Sequence, residues 1–163
     1  MRRPRLHVIF DCPNDWGFRD LLQSAGAAEA RDLHSLARPT SVPDLWVLPS
    51  GPGVDGVSKL FYGPALKAVL ARFRREFDLV LIDTPPMTLY SDARILGRMA
   101  DGAVVVVRAN RTNRDTLRSC YNILSEDRTP VLGTILNDCR LGATQYRSYG
   151  GYYKFYTNSQ RAD

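Results

Sequence analysis

One aspartate stands where many α/β proteins place a ligand-binding carboxylate. Asp83 follows the apolar run Leu79–Ile82 and precedes Thr84-Pro85-Pro86. A carboxylate at the carboxyl end of a parallel strand faces the crevice in which open α/β sheets bind ligands. Beside bound phosphates, such an aspartate helps to hold Mg²⁺, usually through water, because Mg²⁺ prefers oxygen ligands. The residues alone also allow a simpler interpretation, in which Asp83 ends a strand and starts a turn.

A second polar side chain follows another apolar run. Asn137 and Asp138 come directly after the segment Val131–Leu136. The amide group of an asparagine carries a donor and an acceptor side by side, so Asn137 could contact the edge of an adenine base. An Asn-Asp pair after a strand is also an ordinary turn, and the residues alone leave both interpretations open.

The chain ends in a tyrosine-rich segment, residues 141–163, whose composition predicts a flexible tail without regular structure. The cations of the tail are Arg147, Lys154 and Arg161. By composition alone, the tail could be an aromatic low-complexity segment with no regulatory role. Its tyrosines are Tyr146, Tyr149, Tyr152, Tyr153 and Tyr156.

The preceding residues predict helices that would help to position these groups. Pro64 suits the first turn of a helix, where a missing N–H costs nothing. Apolar residues recur after it at helical spacing, at Leu66, Val69 and Phe73. Further helices are predicted at Trp16–Ala25, at Asp92–Met99 behind the cap residue Ser91, and after Thr112, which makes a capping box with Asp115.

Short apolar runs predict the strands of one sheet. The run Ala103–Val107 has no polar alternation, which is typical of a strand that is covered on both faces. Strands that alternate with helices indicate a mostly parallel sheet flanked by helices. We therefore predict an α/β domain over residues 1–140, followed by the tail. The other predicted strands are Leu45–Leu48, Leu79–Ile82 and Val131–Leu136.

Composition limits the class of protein. The chain has 163 residues, of which 44% are apolar, which is enough for one globular core. Its net charge of +5 comes without a recognisable DNA- or RNA-reading motif, so we expect no nucleic-acid partner. The longest apolar run, Gly102–Val107, is far shorter than the roughly 20 residues that span a bilayer. Cys12, Cys120 and Cys139 have no paired spacing, which predicts a reducing, cytoplasmic setting and no structural metal site.

Several of these motifs together resemble one known family. Asp83–Pro86, after its apolar run, is similar to the second acidic motif of the bacterial tyrosine autokinases of capsular and exopolysaccharide biosynthesis. That family is a branch of the deviant-Walker P-loop ATPases, which also include MinD and ParA relatives. Met1–His7 resembles the continuation of its D-x-D-x-R motif, and Leu45–Gly51 resembles the strand and loop before its penultimate helix. Asn137 resembles its base-contacting position. The tail lies where the family is autophosphorylated, so the resemblance implies that the five tail tyrosines are phosphoacceptors. Each phosphate would add about −1.5 to −2 charges, and several would reverse the charge of the tail.

The resemblance implies a P-loop NTPase-like α/β fold, related to MinD and ParA, with ATP and Mg²⁺ as cofactors. It implies that Asp83 acts in catalysis and holds Mg²⁺ through water, and that Asn137 and Arg2 contact the nucleotide. The implied function is a protein-tyrosine autokinase that regulates polysaccharide synthesis and export. The implied partner is a membrane-anchored polysaccharide co-polymerase, and the implied location is the cytoplasmic face of the plasma membrane. A homo-oligomer is expected for the full-length form.

One feature of the family is missing from this sequence. No G-x-x-x-x-G-K-S/T phosphate loop occurs, and the D-x-D aspartates would lie before Met1. Phosphoryl transfer depends on positioning and charge neutralisation, so we expect the chain by itself to be inactive. The lack of the first strand and helix would also expose an apolar edge. The alternatives are a non-catalytic regulatory or phosphoacceptor subunit and a MinD- or ParA-like ATPase relative without kinase activity.

Overall fold

The computed structural model describes residues 4–24, 36–52 and 57–139. Among the described elements, strand and helix alternate only towards the C-terminal end, and none of the described helices is long and apolar enough to cross a membrane. The helices are α1 (Leu6–Ile9), α2 (Phe18–Gln23), α3 (Val57–Leu60), α4 (Pro64–Glu76), α5 (Asp92–Gly97) and α6 (Arg114–Glu126). The strands are β1 (Arg38–Pro39), β2 (Trp46–Val47), β3 (Ala103–Arg108) and β4 (Val131–Asn137).

Helix α4 lies at the centre of the apolar core. Pro64 occupies its first position, as the sequence predicts. Leu66 is fully buried, and Val69 and Phe73 are buried on the same face. The centroid of the Phe73 ring lies 6.2 Å from that of Phe18 on α2. The predicted helix and its apolar face are therefore confirmed, and the core around them also contains Leu21, Leu22, Leu36, Phe61 and Leu96.

Strands β3 and β4 form a parallel pair, which confirms the predicted parallel pairing in this part of the chain. Helix α6 connects the two strands, and the hydroxyl groups of Tyr121 on α6 and Thr134 on β4 are hydrogen-bonded. Val105 lies opposite Thr134 in the register. The side chains of Val105 and the buried Val107 point to the same face, because strand side chains alternate. Helix α6 therefore lies over this face of the pair.

The other face of the β3–β4 pair is open, which corrects one prediction. Val104 and Val106 are 50% and 62% exposed, although the uniform apolar run predicts burial on both faces. Their register partners on β4 are Gly133 and Ile135, and Ile135 is also more than half exposed. A strand can be apolar on both sides, but burial requires a second layer that the local sequence does not encode. We call Val104, Val106, Gly133 and Ile135 the open face.

Two other predicted strands differ from the structure. Residues 79–82 form no strand, and Leu79 and Leu81 are 75% and 84% exposed. An apolar run becomes a strand only when a neighbouring backbone completes its hydrogen bonds, and no described backbone group does so for these residues. Strand β2 covers only the centre of the predicted Leu45–Leu48, and it pairs with β1 in antiparallel rather than parallel orientation.

The cap of helix α6 also differs from the predicted one. Asn113 is the N-cap, and its Oδ1 accepts a hydrogen bond from the N–H of Thr116 at 2.7 Å. The hydroxyl of Thr112 instead accepts from the N–H of Arg108 at 3.3 Å. The prediction of a capping box between Thr112 and Asp115 is therefore wrong. Asparagine is at least as good an N-cap as threonine, so a shift by one residue costs little.

An ion-pair cluster fixes α5 to the end of α6. The carboxylate of Asp127 accepts hydrogen bonds from Nε and Nη2 of Arg94 at 2.7 and 2.9 Å, and another from Arg98. The Arg94 hydrogen bond is the main reason why the pKa of Asp127 lies far below its ordinary value, although burial acts in the opposite direction. Both guanidinium groups keep contact with water, because their side chains are 38% and 58% exposed.

Candidate functional site

Asp83 lies on the surface at the end of the apolar residues 79–82. The chain turns soon after it, because the carbonyl oxygen of Pro86 accepts hydrogen bonds from the N–H groups of Leu89 and Tyr90 at 3.1 and 3.2 Å. Within the described ranges, no hydrogen bond or ion pair holds the Asp83 carboxylate. The carboxylate is therefore accessible to a ligand, but no neighbouring side chain fixes its orientation.

The oxygen of Asp83 suits a magnesium ion, but the surrounding residues do not complete a site. Across the described ranges there is no group of three or more His, Cys, Asp or Glu side chains that could hold a metal ion. Mg²⁺ takes oxygen ligands and keeps several waters, so Asp83 fits as one ligand, directly or through water. The other ligands would come from water and from nucleotide phosphates. The catalytic and metal-binding roles of Asp83 stay predictions.

Asn137 lies at the carboxyl end of the parallel pair. It is the last residue of β4 and stands opposite Arg108, the last residue of β3. The Oδ1 of Asn137 accepts a hydrogen bond from the N–H of Asp138 at 2.8 Å. This bond uses one of the two lone pairs of Oδ1 and leaves the Nδ2 donor for a ligand. The base contact of Asn137 stays a prediction.

Arg108 is a neighbour of Asn137 that the sequence analysis does not single out. Its Nε donates a hydrogen bond to the Asp138 carboxylate at 2.8 Å, and both side chains are at least half exposed. Arg108 is the first charged residue after the valine run, and the carboxyl ends of parallel strands lie at one edge of a sheet. That position is a signal that could have identified it. We add Arg108 and Asp138 to the candidate site.

The remaining predicted site residues are only partly placed. No described contact joins Asp83 to Asn137 or Arg108. Arg2 lies outside the described residues, and so does the whole predicted tail. The roles of these residues stay predictions, and the tail residues concerned are Tyr146, Tyr149, Tyr152, Tyr153 and Tyr156.

A second loop, after strand β2, is held by the N-terminal part of the chain. We call residues 14–20 and 49–52 the loop clasp. Asn14 makes two hydrogen bonds with Gly51, donating from Nδ2 to the carbonyl oxygen and accepting at Oδ1 from the N–H, each at 3.0 Å. The two residues are 37 positions apart, so sequence patterns could not indicate their contact. The clasp fixes the start of α2 against the loop that follows β2.

Two glycines allow this close approach. A Cβ atom at Gly17 would lie 2.2 Å from both the nitrogen of Gly51 and the carbonyl oxygen of Pro49, which no side chain could tolerate. Gly51 has φ +80, a left-handed conformation that glycine adopts without strain. The carboxylate of Asp20 accepts a hydrogen bond from the N–H of Gly17 at 2.9 Å. Both glycines are therefore required by the backbone geometry.

The sequence is similar to known bacterial kinases. No protein-family model matches the chain. It is 28% identical over 153 residues to a putative tyrosine-protein kinase, CapB of Staphylococcus aureus, across 94% of this chain and 64% of CapB. It is 28% identical to tyrosine-protein kinase YwqD of Bacillus subtilis, across 93% of this chain and 61% of YwqD. It is 32% identical to tyrosine-protein kinase CpsD of Streptococcus agalactiae, across 76% of this chain and 54% of CpsD.

Solved structures agree with these sequence matches. The chimerical protein CapA2B2 superposes with a TM-score of 0.75 at 27% identity, across 86% of this chain and 60% of the chimera. The kinase domain of VpsO superposes with a TM-score of 0.76 at 24% identity, across 85% of this chain and 66% of that domain. The kinase domain of the Escherichia coli tyrosine kinase ETK superposes with a TM-score of 0.75 at 22% identity. The last two likenesses concern the fold alone.

The parallel β3–β4 pair and the helices around it form an α/β domain. The superpositions show that this domain has the fold of bacterial tyrosine kinase domains. The chain is a homologue of the bacterial tyrosine-protein kinases. The resemblance that the motifs indicate is thereby confirmed. The chain spans only 54% to 64% of the length of the curated relatives described above.

Proposed function

We propose that this chain is part of a protein-tyrosine autokinase domain that regulates capsular or exopolysaccharide biosynthesis and export. The observation that carries the proposal is the similarity to a tyrosine-protein kinase across 94% of the chain. The tail would give such an enzyme its own phosphate acceptors. These acceptors are Tyr146, Tyr149, Tyr152, Tyr153 and Tyr156.

Within this proposal the described residues have separate tasks. Asp83 offers a carboxylate oxygen to Mg²⁺, which together with ATP supplies the charge neutralisation that phosphoryl transfer needs. Asn137 contacts the base through its Nδ2 donor. Arg108 positions the turn after β4, because its guanidinium group holds the carboxylate of Asp138. Arg2 contributes a further nucleotide contact, as the resemblance implies.

The chain by itself should not bind Mg-ATP measurably. Its sequence has no phosphate loop, and Asp83 alone does not make a metal site. Calorimetry on the purified 163-residue chain should therefore detect no heat of binding. Micromolar binding that Asp83→Asn weakens and Asp78→Asn leaves unchanged would contradict this expectation, while supporting the role of Asp83. Asp78 is a suitable control because it is also exposed and lies on the other side of the same apolar run.

The tail is tested as a phosphoacceptor in a cell that contains an intact tyrosine autokinase. The change is replacement of all the tail tyrosines named above by phenylalanine. Phosphotyrosine on this chain should disappear, because phenylalanine lacks the accepting hydroxyl. The control is Tyr62→Phe, since Tyr62 is 71% exposed but lies outside the tail, and its labelling should stay unchanged. Unchanged labelling of the tail variant would refute the tail as acceptor.

A non-catalytic phosphoacceptor subunit is the second candidate. The similar proteins are named as tyrosine-protein kinases and do not favour it, so it stays the alternative. Both candidates predict tail phosphorylation by a complete kinase, so the tail experiment does not separate them. Nucleotide binding by the chain does separate them, because only an autokinase domain must bind Mg-ATP when its phosphate-binding part is supplied.

The proposed partner is a membrane-anchored polysaccharide co-polymerase. It would recruit the domain to the cytoplasmic face of the membrane. There the full-length protein would form homo-oligomers. Support comes from the same kinase resemblance. Fractionation of cells that express the tagged chain with and without the co-polymerase tests recruitment. The chain should move to the membrane fraction only when the co-polymerase is present, and an unchanged distribution would contradict the proposal.

A further inference from the structure

A cluster of exposed arginines lies between the end of β3 and the first turns of α6. The N–H of Arg111 donates a hydrogen bond to the carbonyl oxygen of Arg108 at 3.2 Å, so these two residues lie within one turn of the chain. Arg114 and Arg118 are four residues apart on α6, which places them about 6 Å apart along one face of the helix. We call these four residues the arginine cluster, namely Arg108, Arg111, Arg114 and Arg118.

The arginine cluster lies beside the end of β4. The N–H of Ala109, directly after β3, donates a hydrogen bond to the carbonyl oxygen of Asn137 at 2.8 Å. The Nε of Arg108 donates to the carboxylate of Asp138, also at 2.8 Å. Helix α6 starts at the same edge of the sheet, because it follows the carboxyl end of β3. The residues that come after Cys139 therefore start next to the arginine cluster.

Much of the positive charge of the arginine cluster is not balanced by neighbouring carboxylates. Within the described part of the chain, the guanidinium groups of Arg111 and Arg114 have no hydrogen bond or ion pair. Arg118 lies 4.0 Å from Asp115, and their side chains are 78% and 93% exposed, so water weakens this attraction. Asp138 is the other carboxylate nearby. Four cations thus face two carboxylates, and the cluster can accept a further anion.

The tail, residues 141–163, carries a matching anion once it is phosphorylated. Its first tyrosine, Tyr146, follows Cys139 by seven residues, which span up to about 23 Å when extended. The arginine cluster is therefore within reach of the chain's own tail. Without phosphate the tail is positive, because its basic residues outnumber its acidic ones, and the cluster repels it. Each phosphate adds about −1.5 to −2 charges and three acceptor oxygens, so phosphorylation replaces this repulsion by attraction.

We propose that the arginine cluster binds a phosphotyrosine of the chain's own tail. The unpaired guanidinium groups of Arg111 and Arg114 donate hydrogen bonds to the phosphate oxygens, which the fork of an arginine can contact two at a time. The first turn of α6 adds backbone N–H groups that have no partner within the helix, and these also favour an anion. The inference rests on the proposed phosphorylation of the tail, and it adds the surface that recognises the modified tail.

A synthetic peptide with the sequence of residues 144–158 tests the binding without any kinase. It is prepared once with phosphate on all five tyrosines and once without phosphate. The 163-residue chain with an unmodified tail should bind the phosphorylated peptide with micromolar affinity in fluorescence anisotropy. This affinity should fall as the salt concentration rises, and the unmodified peptide should not bind. Equal affinity for the two peptides, or no binding of the phosphorylated one, would overturn the proposal.

Two double variants that lose the same charge locate the site. Arg111→Gln combined with Arg114→Gln should weaken binding of the phosphorylated peptide at least about tenfold, because charge-assisted hydrogen bonds to phosphate are lost. The control is Lys67→Gln combined with Arg75→Gln, since both residues are exposed cations on α4. The control should change the affinity less than about twofold. Equal weakening by the two double variants would show that only net charge matters, which would overturn the assignment of the site.

A chain to which the phosphorylated tail has been joined by peptide ligation tests whether the cluster binds its own tail. Its attached tail has a high effective concentration at the arginine cluster. The added phosphorylated peptide should therefore bind this chain at least about tenfold more weakly than the unmodified chain. Unchanged affinity would show that the tail does not occupy the cluster of its own chain.

Vesicles of phosphatidylserine and phosphatidylcholine test the competing occupant, because clustered arginines also attract anionic lipids. The two double variants should bind these vesicles equally. Vesicle binding that only the Arg111 and Arg114 pair loses, without binding of the phosphorylated peptide, would assign the cluster to a membrane and overturn the proposal. Because the peptide receives its phosphates by synthesis, failure here leaves tail phosphorylation in cells separately testable. Failure of that phosphorylation likewise leaves the peptide result unaffected.

Discussion

The loop clasp and the open face differ in how closely their residues are packed. In the clasp, Asn14 uses both ends of its amide on Gly51, and the backbones approach so closely that Gly17 has no room for a Cβ atom. On the open face, a Cβ atom at Gly133 would meet nothing. The described residues around α4 and in the clasp are therefore packed more closely than those on the open face of the parallel pair.

The largest expected difference lies between the core and the open face. Leu66→Ala removes a fully buried side chain from α4 and should lower the free energy of unfolding by about 3 kcal/mol, because it leaves a cavity. Val106→Ala removes a side chain that is mostly in water and should cost less than about 0.5 kcal/mol. Denaturant unfolding measures both. Similar losses for the two variants would mean that the open face is covered.

Replacing two glycines by alanine tests the same difference in packing. Gly17→Ala should destabilise by about 2 kcal/mol, since its Cβ would lie 2.2 Å from backbone atoms of the loop after β2. Gly133→Ala should be neutral or stabilise by up to about 1 kcal/mol, because the new methyl group enters open space and the unfolded chain loses freedom. Thermal unfolding of the two variants is the measurement. A destabilised Gly133 variant would contradict the open face.

The smallest expected difference between a variant and its control concerns Asp127. Hydrogen bonding, mainly from Arg94, lowers the pKa of Asp127 in the folded state. Its contribution to stability is therefore present above the unfolded pKa of about 4 and is lost as the pH falls below that value. Asp127→Asn should cost about 1 kcal/mol at neutral pH and make unfolding less dependent on pH in the acid range.

Denaturant midpoints measured from neutral to acid pH test the role of Asp127. The matched control is Asp78→Asn, because Asp78 is exposed and lies outside the described helices and strands. This variant should keep both the midpoint and its pH dependence. If the two variants behave alike, the ion-pair cluster between α5 and α6 contributes nothing specific to folding.

Local patterns predict those elements whose stability is local. Helix α4 follows from Pro64 and from the apolar spacing behind it, and both are visible in the sequence. The strand predicted at Leu79–Ile82 is absent because a strand depends on a neighbouring backbone, which apolar content cannot supply. The residues of the candidate site also differ in whether the local sequence indicates them. Asn137 is visible as a polar residue after an apolar run, whereas Arg108 joins it only through the register of β3 and β4.

The sequence by itself determined the kinase resemblance, the strand-helix-strand unit from β3 to β4, and the choice of Asp83 as a candidate ligand. Each of these features depends on a short run of residues, in which the types and spacing of the side chains are enough to predict it. Only the tertiary structure decided that Asn14 holds Gly51 and that one face of the β3–β4 pair stays open. Both depend on which distant backbone comes within hydrogen-bonding or packing distance. That is a property of the whole fold rather than of any local pattern.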